Sequence, residues 1–446
     1  MLGEFAANTT YKDIPEEVLD RVKTDALDGV SVGIFGSTLP WVRLAVDYWE
    51  ELGGAPQARL WGRRSKLPVP KAVLSNCHGM NSFEYDDTYV WSGLGTHQGN
   101  NVVPAAVATA ELVGGVSGKD FVAALAVAHE VGVRVIKGFA VKRAGYNHTA
   151  ISSTFCAAVA AGRLLGLDGE AMTWALGSAG SYVGGLLTIP PSSMVKRMVN
   201  GRAAEGGVIG ALLAKRGFTG IENLFEAERG GYYGGYAVTP DFDVVVGDLK
   251  RKWYCVNIHT KRFPMCTSIH APLEAACEIV RKEKFSVNDI SEIVVRTTTG
   301  AQGNTVGFFP DTISSAQLSL AFGVATAILT GNVRPANVTM EALKDPKIVR
   351  LMNLIKPYKD PELDAIWSGI GGPARVEVHL RGGKVLTSSQ VPEATRMTNA
   401  EIEDKARDAA GPVVGKEQME KIIEFFRKVE KLDTVDSLFP LLQPDS

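Results

Sequence analysis

VVPAAVATAELVG (102–114), DFVAALAVAHEVG (120–132) and STFCAAVAAGRLLG (153–166) decide how this chain folds. Each spans three or more helical turns, is apolar almost all the way round, and is built on Ala, Val and Gly. A helix with no polar face is buried on most sides, and small residues let its neighbours approach closely. These segments therefore read as the central helices of a large helical domain. Helical periodicity fills 103–113, 119–138 and 151–165 and extends outward to 40–52, 70–83 and 169–180. Near the N-terminus, Asp13-Ile14-Pro15-Glu16 reads as a helix start, with Asp as the cap, Pro in the first turn and Glu completing a capping box. Val18, Val22, Leu27 and Val30 follow at helical spacing.

The character changes after Cys255. SEIVVRTTTG (291–300) and ARVEVHLRGGKVLTSSQ (374–390) alternate β-branched and polar residues, the second with a Gly-Gly turn at 382–383. Between them SSAQLSLAFGVATAILTG (314–331) reads as one apolar helix. TNAEIEDKARDAAG (398–411) and EQMEKIIEFFRKVEKLD (417–433) return to amphipathic helix. The expected fold is mainly α. An all-α domain of 1–255 and 391–446 carries a smaller α+β lid over 256–390, with the tail packed back on the helical part.

The chain has 446 residues and a formal net charge of −2, with 45% hydrophobic and 22% charged residues, ordinary values for a globular protein. No basic tract offers the footprint that nucleic-acid binding needs, and no apolar run reaches the roughly 18 residues of a membrane helix. Neither nucleic acid nor membrane is an expected partner. The opening MLGEFAANTTYKDIPEE lacks a basic region followed by an apolar one, so no secretory signal is expected. Cys77, Cys156, Cys255, Cys266 and Cys277 are odd in number and form no C-x-x-C pair, which points to reduced thiols and the cytoplasm. The histidines show no zinc-binding spacing, so no metal site is expected.

The densest chemistry lies at 84–97, EYDDTYVWSGLGTH. Glu84, Asp86, Asp87 and Thr88 are followed, across a Gly-spaced loop, by His97. Adjacent carboxylates bear a like-charge cost, so one must be held by hydrogen bonds. Histidine is the side chain most readily tuned for proton transfer near neutral pH. Alone, the stretch is equally compatible with a helix cap. Other clusters add weight. His148 lies in AGYNHTA, just ahead of a buried helix whose N-terminus favours anions. Lys196 and Arg197 lie in PPSSMVKRMVNGRAAEGG. Lys261 and Arg262 lie in NIHTKRFPMCTSIHAP, between His259 and His270, at the inferred domain junction where pockets tend to form. Arg134, on the apolar helix 119–138, reads as the partner of a buried carboxylate.

Histidines, lysines, arginines and acids together suit a small polycarboxylate. Cations bind and polarise its carboxylates while an imidazole moves a proton on the neighbouring carbon. Preorganised donors contribute roughly 3–4 kcal/mol each to such a charged intermediate, and a positioned acid or base about 10²–10⁴ in rate. No metal or organic cofactor is required.

The order and spacing of IPEEVLDRVKTDALDGVSVGIFG, FEYDDT with THQGNNVVPAAVATAE, HEVGVRV, NHTAISSTFCAAVAAGRLLGL, VKRMVNGRAAEGGVIGALLAKRGFTG, KRFPMCTSIHAPLEAA and SSAQLSLAFGVATAILTG resemble the MmgE/PrpD family through most of the chain. The resemblance implies a large all-α domain completed by C-terminal helices, a smaller α+β lid, a homodimer, and an active site between the domains. Carried over by position, His97, His148, Lys196 and Lys261 become the catalytic set. Glu84, Asp86, Asp87 and Thr88 become substrate contacts, joined by Arg262 beside Lys261. The implied activity is that of a cofactor-independent lyase on a small di- or tricarboxylate. A 2-methylcitrate dehydratase-like hydro-lyase comes first, and a cis-aconitate-type decarboxylase or iminodisuccinate-type epimerase are alternatives in the same site. The chain departs from the family pattern at Gln98, where many members carry Pro, at Glu84, where some carry Asp, and in the insert VWSGLG.

Two readings from other classes compete. A magnesium-dependent isoprenoid synthase is suggested by EYDDTYV, but Val90 stands where the metal-binding face needs a third acid. A non-catalytic helical binding protein predicts scattered, solvated charges in place of converging ones.

Overall fold

The computed structural model describes residues 1–91, 94–187, 193–303, 308–367, 371–392 and 396–444. Ser92 and Gly93 of the insert, and Pro190 and Pro191 ahead of Lys196, lie outside the described residues.

Among the described residues, nine helices of the first half form the body: α1 (Leu2–Asn8), α2 (Glu16–Gly36), α3 (Pro40–Leu52), α4 (Val69–Met80), α5 (Gly99–Val113), α6 (Gly118–Lys137), α7 (His148–Leu164), α8 (Gly169–Ala179) and α9 (Val199–Ala214). Helix α7 is central and packs on α5, α6, α8 and α9. Every residue of α6 from Phe121 to Lys137 is buried, which is why that stretch has no polar face. Small residues set the closest crossings. A Cβ on Gly207 of α9 would stand 2.2 Å from the Thr154 carbonyl of α7, and one on Gly201 would stand 2.7 Å from the Leu74 carbonyl of α4. Arg134 pairs with Glu130 at 2.7 Å and Asp248 at 2.9 Å, the structural role its apolar helix suggested.

The helix start at 13–16 is resolved differently from the sequence expectation. Asp13 turns back to cap a short 3-10 turn by accepting from Thr10 N–H, and α2 begins at Glu16 with Pro15 as its cap. Helix α7 begins at His148, not at Ile151, with the Asn147 side chain accepting from Ala150 N–H.

Short strands interrupt the helices where the sequence reading placed none. β1 (Asp87–Trp91) pairs antiparallel with β2 (Leu94–Thr96), and β3 (Phe139–Lys142) pairs with β4 (Ala237–Pro240). β1 also pairs antiparallel with β5 (His259–Thr260), in the register Asp87 to Thr260 and Thr88 to His259. This last pairing brings the acidic segment to the Lys261 segment.

The later part holds a four-stranded sheet of β6 (Ile290–Thr297), β7 (Ile355–Lys359), β8 (Ala374–Leu380) and β9 (Val385–Thr387), in the order β9-β8-β6-β7. β6 and β8 occupy the two expected strand segments, and Gly383 (φ 82°) makes the β8–β9 turn. β7 runs parallel to β6. Its sequence, IKPYK, is exposed at four of five positions, so no alternation announced it. Helix α10 (His270–Lys282) packs on β8 and on α11 (Leu320–Thr330), which packs in turn on α12 (Pro346–Leu354). The apolar run 314–331 is not one helix: Ile313–Ala316 ends, Gln317 turns inward, and Ser319 caps α11. Helices α13 (Asn399–Val414) and α14 (Lys416–Lys428) return to pack on α2. Among the described residues no single helix is long and apolar enough to cross a membrane. The five cysteines are unpaired, and all but Cys266 are buried.

Candidate active site

The chain leaves α4 through a 3-10 turn, Asn81–Phe83, and reverses at Glu84, whose φ of 53° is left-handed. Glycine adopts that conformation freely and glutamate at a cost of about 1–3 kcal/mol. The backbone turn delivers the Glu84 carboxylate to three cations. Oε1 receives Lys196 Nζ at 2.7 Å and Arg197 Nη1 at 2.6 Å, and Oε2 receives Lys261 Nζ at 2.9 Å. Lys261 Nζ also reaches Asp86 Oδ1 at 3.1 Å. The other Asp86 oxygen accepts from Asn100 Nδ2 at 2.6 Å and lies 3.3 Å from His97 Nδ1.

His97 Nδ1 is 2.7 Å from the Asp87 carbonyl oxygen. A carbonyl only accepts, so in the neutral ring the hydrogen sits on Nδ1 and the lone pair on Nε2. About a quarter of the side chain stays accessible. Burial lowers the His97 pKa; the Asp86 carboxylate opposes this and Lys261 adds to it. The ring is therefore a neutral base near pH 7.

The carboxylates differ in charge. Burial alone would raise the Glu84 pKa, but Lys196, Lys261 and Arg197 outweigh it and hold the carboxyl well below the usual range. Asp86 is likewise held low against burial, chiefly by Lys261. Asp87 goes the other way: burial, then Asp25 and Asp86, raise it well above the ordinary value. Its Oδ2 accepts the first N–H of α5, from Gly99, at 3.0 Å. Burial lowers the Lys261 pKa less than Asp86 and Glu84 raise it, so that ammonium is firmly charged. Lys196 is 28% exposed and has a lowered pKa through desolvation and the neighbouring Arg197, partly offset by Glu84.

Of the nine residues the sequence pointed to, Glu84, Asp86, His97, Lys196 and Lys261 come together as one constellation. His148 stands beside it, with the Gly95 backbone in hydrogen-bonding reach; burial first, then Lys142, pushes its pKa down to about 4. Thr88 is buried in β1, opposite His259. Asp87 is 2% exposed and caps α5, a structural place for a residue read as a substrate contact. Arg262 does not join the cluster. It pairs with Glu401 at 2.7 Å and Glu274 at 3.7 Å and lines a separate cleft. The reason is strand alternation: Lys261 follows β5 facing the acids, so its neighbour faces away.

Two further residues complete the wall. Arg197, first read only as the companion of Lys196, is buried and donates Nη2 to Gln317 Oε1 at 2.8 Å. Gln317 is fully buried, and its amide nitrogen donates to the Phe83 and Pro264 carbonyls. It sits in the helix break that the sequence reading missed. Asp86 and Asp87 straddle the start of a strand and address opposite neighbourhoods, so they do not form one metal-binding face. Among the described residues no group of three or more His, Cys, Asp or Glu has metal-binding geometry.

The MmgE/PrpD N-terminal domain profile matches residues 1–243, and the C-terminal domain profile matches residues 263–431. Cis-aconitate decarboxylase of Aspergillus terreus (strain NIH 2624 / FGSC A1156) is 27% identical, the match covering 98% of this chain and 94% of the relative. Cis-aconitate decarboxylase-like protein oryM of Aspergillus oryzae (strain ATCC 42149 / RIB 40) is 27% identical over 96% and 94% of the two chains. Human cis-aconitate decarboxylase is 23% identical over 97% and 92%. The relatives share a lyase name, and the two domain profiles together cover nearly the whole chain: it belongs to the MmgE/PrpD family.

Proposed function

We propose that this protein is a cofactor-independent lyase acting on a small di- or tricarboxylate, with cis-aconitate as first candidate substrate and CO₂ as the group lost. One observation carries the reading: Lys196, Arg197 and Lys261 converge on a single carboxylate beside an imidazole whose Nδ1 faces a backbone carbonyl, which leaves Nε2 to exchange a proton. In cis-aconitate, the bond from the methylene carbon to its carboxylate breaks, and that electron pair forms a new double bond. The pair of the old double bond moves to the carbon beside a retained carboxylate, giving an enediolate that takes up one proton. The cations neutralise the enediolate, and His97 delivers the proton after taking it from solvent.

Dehydration of 2-methylcitrate, the first expectation from sequence, needs a protonated group to accompany the departing hydroxyl. His97 and His148 both have lowered pKa values, which disfavours the acid that must accompany a departing hydroxyl, whereas CO₂ departs without a proton and the carbon takes one up only afterwards. Epimerisation of an iminodisuccinate-type substrate needs bases on both faces, and two neutral histidines keep it as the second reading.

The proposal includes a homodimer. Val141, Leu186, Leu187 and Val238 are exposed on adjoining segments, an apolar face of the kind that marks protein contacts. Sedimentation that returned a monomer at micromolar concentration would remove that part.

Incubation with cis-aconitate, 2-methylcitrate, citrate and iminodisuccinate in D₂O, followed by NMR, separates the reactions. CO₂ loss with one deuterium incorporated is the expected outcome. Water loss from 2-methylcitrate, or exchange with inversion in iminodisuccinate, selects an alternative, and no change in any acid refutes the polycarboxylate reading.

A further inference from the structure

We infer that Lys405, on the C-terminal helix α13, is a positioning residue that holds the two backbone segments of the active site together. Its side chain is 2% exposed and reaches the back of the site from outside the segments that carry it. Nζ lies 2.8 and 3.0 Å from the two Asp28 oxygens, 2.6 Å from the Tyr85 carbonyl and 2.9 Å from the Lys261 carbonyl. An ammonium has three protons, and here one carboxylate and two carbonyls take them. It also sits 3.9 Å from the centre of the Tyr85 ring.

Both carbonyls belong to the catalytic wall. Tyr85 lies between Glu84 and Asp86, and Lys261 is the cation these acids share. The two segments pair as strands at Asp87–Thr260, and Lys261 N–H reaches the Asp86 carbonyl at 3.3 Å. Strand pairing stops there, ahead of Tyr85 and of Glu84, whose side chain must meet that of Lys261. Lys405 Nζ continues the connection, bridging two acceptors that cannot bond to each other. Asp28, on α2, supplies the countercharge, so the bridge also ties α13 to α2. On its other side the bridge borders a polar cleft of about 500 Å³ lined by Tyr85, Arg262, Phe263 and Lys405, wide enough for a small amine to enter.

The kinetic arm of the test rests on the reaction proposed above; the exchange arm does not. Lys405→Met is compared with the charge-balanced pair Asp28→Asn with Lys405→Met, which folds even if the single variant strands a buried carboxylate. Hydrogen exchange at 85–88 and 260–262 is expected to rise by about tenfold or more in both, with α7 unchanged. On cis-aconitate, kcat falls on the order of 10–100-fold, as for a small misplacement of reacting groups, while KM changes little. Ethylammonium added to Lys405→Ala restores part of kcat, which a purely structural lysine would not show. Unchanged exchange at both segments overturns the bridge. Faster exchange with full kcat, or faster exchange spread evenly through the protein, overturns the positioning role. If the parent turns over none of the acids, the functional reading fails and the exchange comparison still decides the bridge.

Discussion

Lys196 and Lys261 touch the same carboxylate, yet their replacement by Met should have separable consequences. Lys261 is 1% exposed and bonds Glu84 and Asp86 together. Removing it leaves two carboxylates buried side by side with one ammonium gone, and breaking a buried ion pair from one side costs about 3–5 kcal/mol. At roughly 2 °C per kcal/mol for a chain of this size, the melting temperature falls by about 6–10 °C. Lys196 is 28% exposed, and Glu84 keeps Arg197 and Lys261 without it. Its loss costs about 1 kcal/mol or less, near 2 °C. Its effect on turnover is larger. Lys196 is the most accessible of the three cations, and losing one preorganised donor costs on the order of 10²–10³ in kcat. Thermal melts read the first difference, and NMR of cis-aconitate turnover the second. Equal melting shifts in the two variants, or full activity in Lys196→Met, would refute the assignment of Lys261 as keystone and Lys196 as the substrate-facing charge.

His97→Asn should lower kcat by about 10²–10⁴ with a smaller change in KM. In the parent, kcat/KM should fall on the alkaline side from a pH below 6.5, because His97 must carry the proton that it delivers and its pKa is lowered. Stability follows a related rule at His270, whose pKa burial and Lys261 push down to about 3. Only the unfolded chain takes up that proton below pH 6.5, so stability is present above this value and lost as pH falls. By pH 5 the loss is about 2 kcal/mol. His270→Gln should flatten the urea-measured stability difference between pH 7 and pH 5 by that amount, and an unchanged slope would contradict it. Glu84→Gln removes the acid that raises Lys196. The alkaline limb of kcat/KM should move to lower pH, and KM should fall together with kcat; a rise in KM would count against the charge argument below.

How much of this was readable in advance follows from where each signal resides. The helical body was legible because burial on all sides leaves a signature in every residue, as in Phe121–Lys137. Five members of the constellation were legible because Glu84, Asp86, His97, Lys196 and Lys261 sit in short, dense clusters. That Arg262 stands apart from the others was not legible, because a strand sends neighbours to opposite sides and β5 is only two residues long. Gln317 was invisible because an uncharged amide in an apolar run looks like an accident; its role appears only once the helix breaks there and three distant segments meet. Lys405 was hidden by an ordinary amphipathic pattern, in which the one lysine of α13 points inward.

Glu84 raises a question that the site's charge balance answers. A substrate carboxylate should want the three cations for itself, yet Glu84 already occupies them, and from a left-handed backbone. Like charges about 6 Å apart repel by roughly 3 kcal/mol at an effective dielectric constant of 20, so three unshielded cations would spread or shed a proton. Lys196, already lowered by desolvation and Arg197, would lose its proton first. With Glu84 and Asp86 ionised, three cations less two carboxylates leave one net positive charge. A site carrying two would grip any polycarboxylate tightly in the ground state, which lowers KM without raising kcat. In the proposed reaction, one net charge, fixed in place by an internal carboxylate, would leave ground-state binding modest and stay available for the negative charge that develops only in the enediolate.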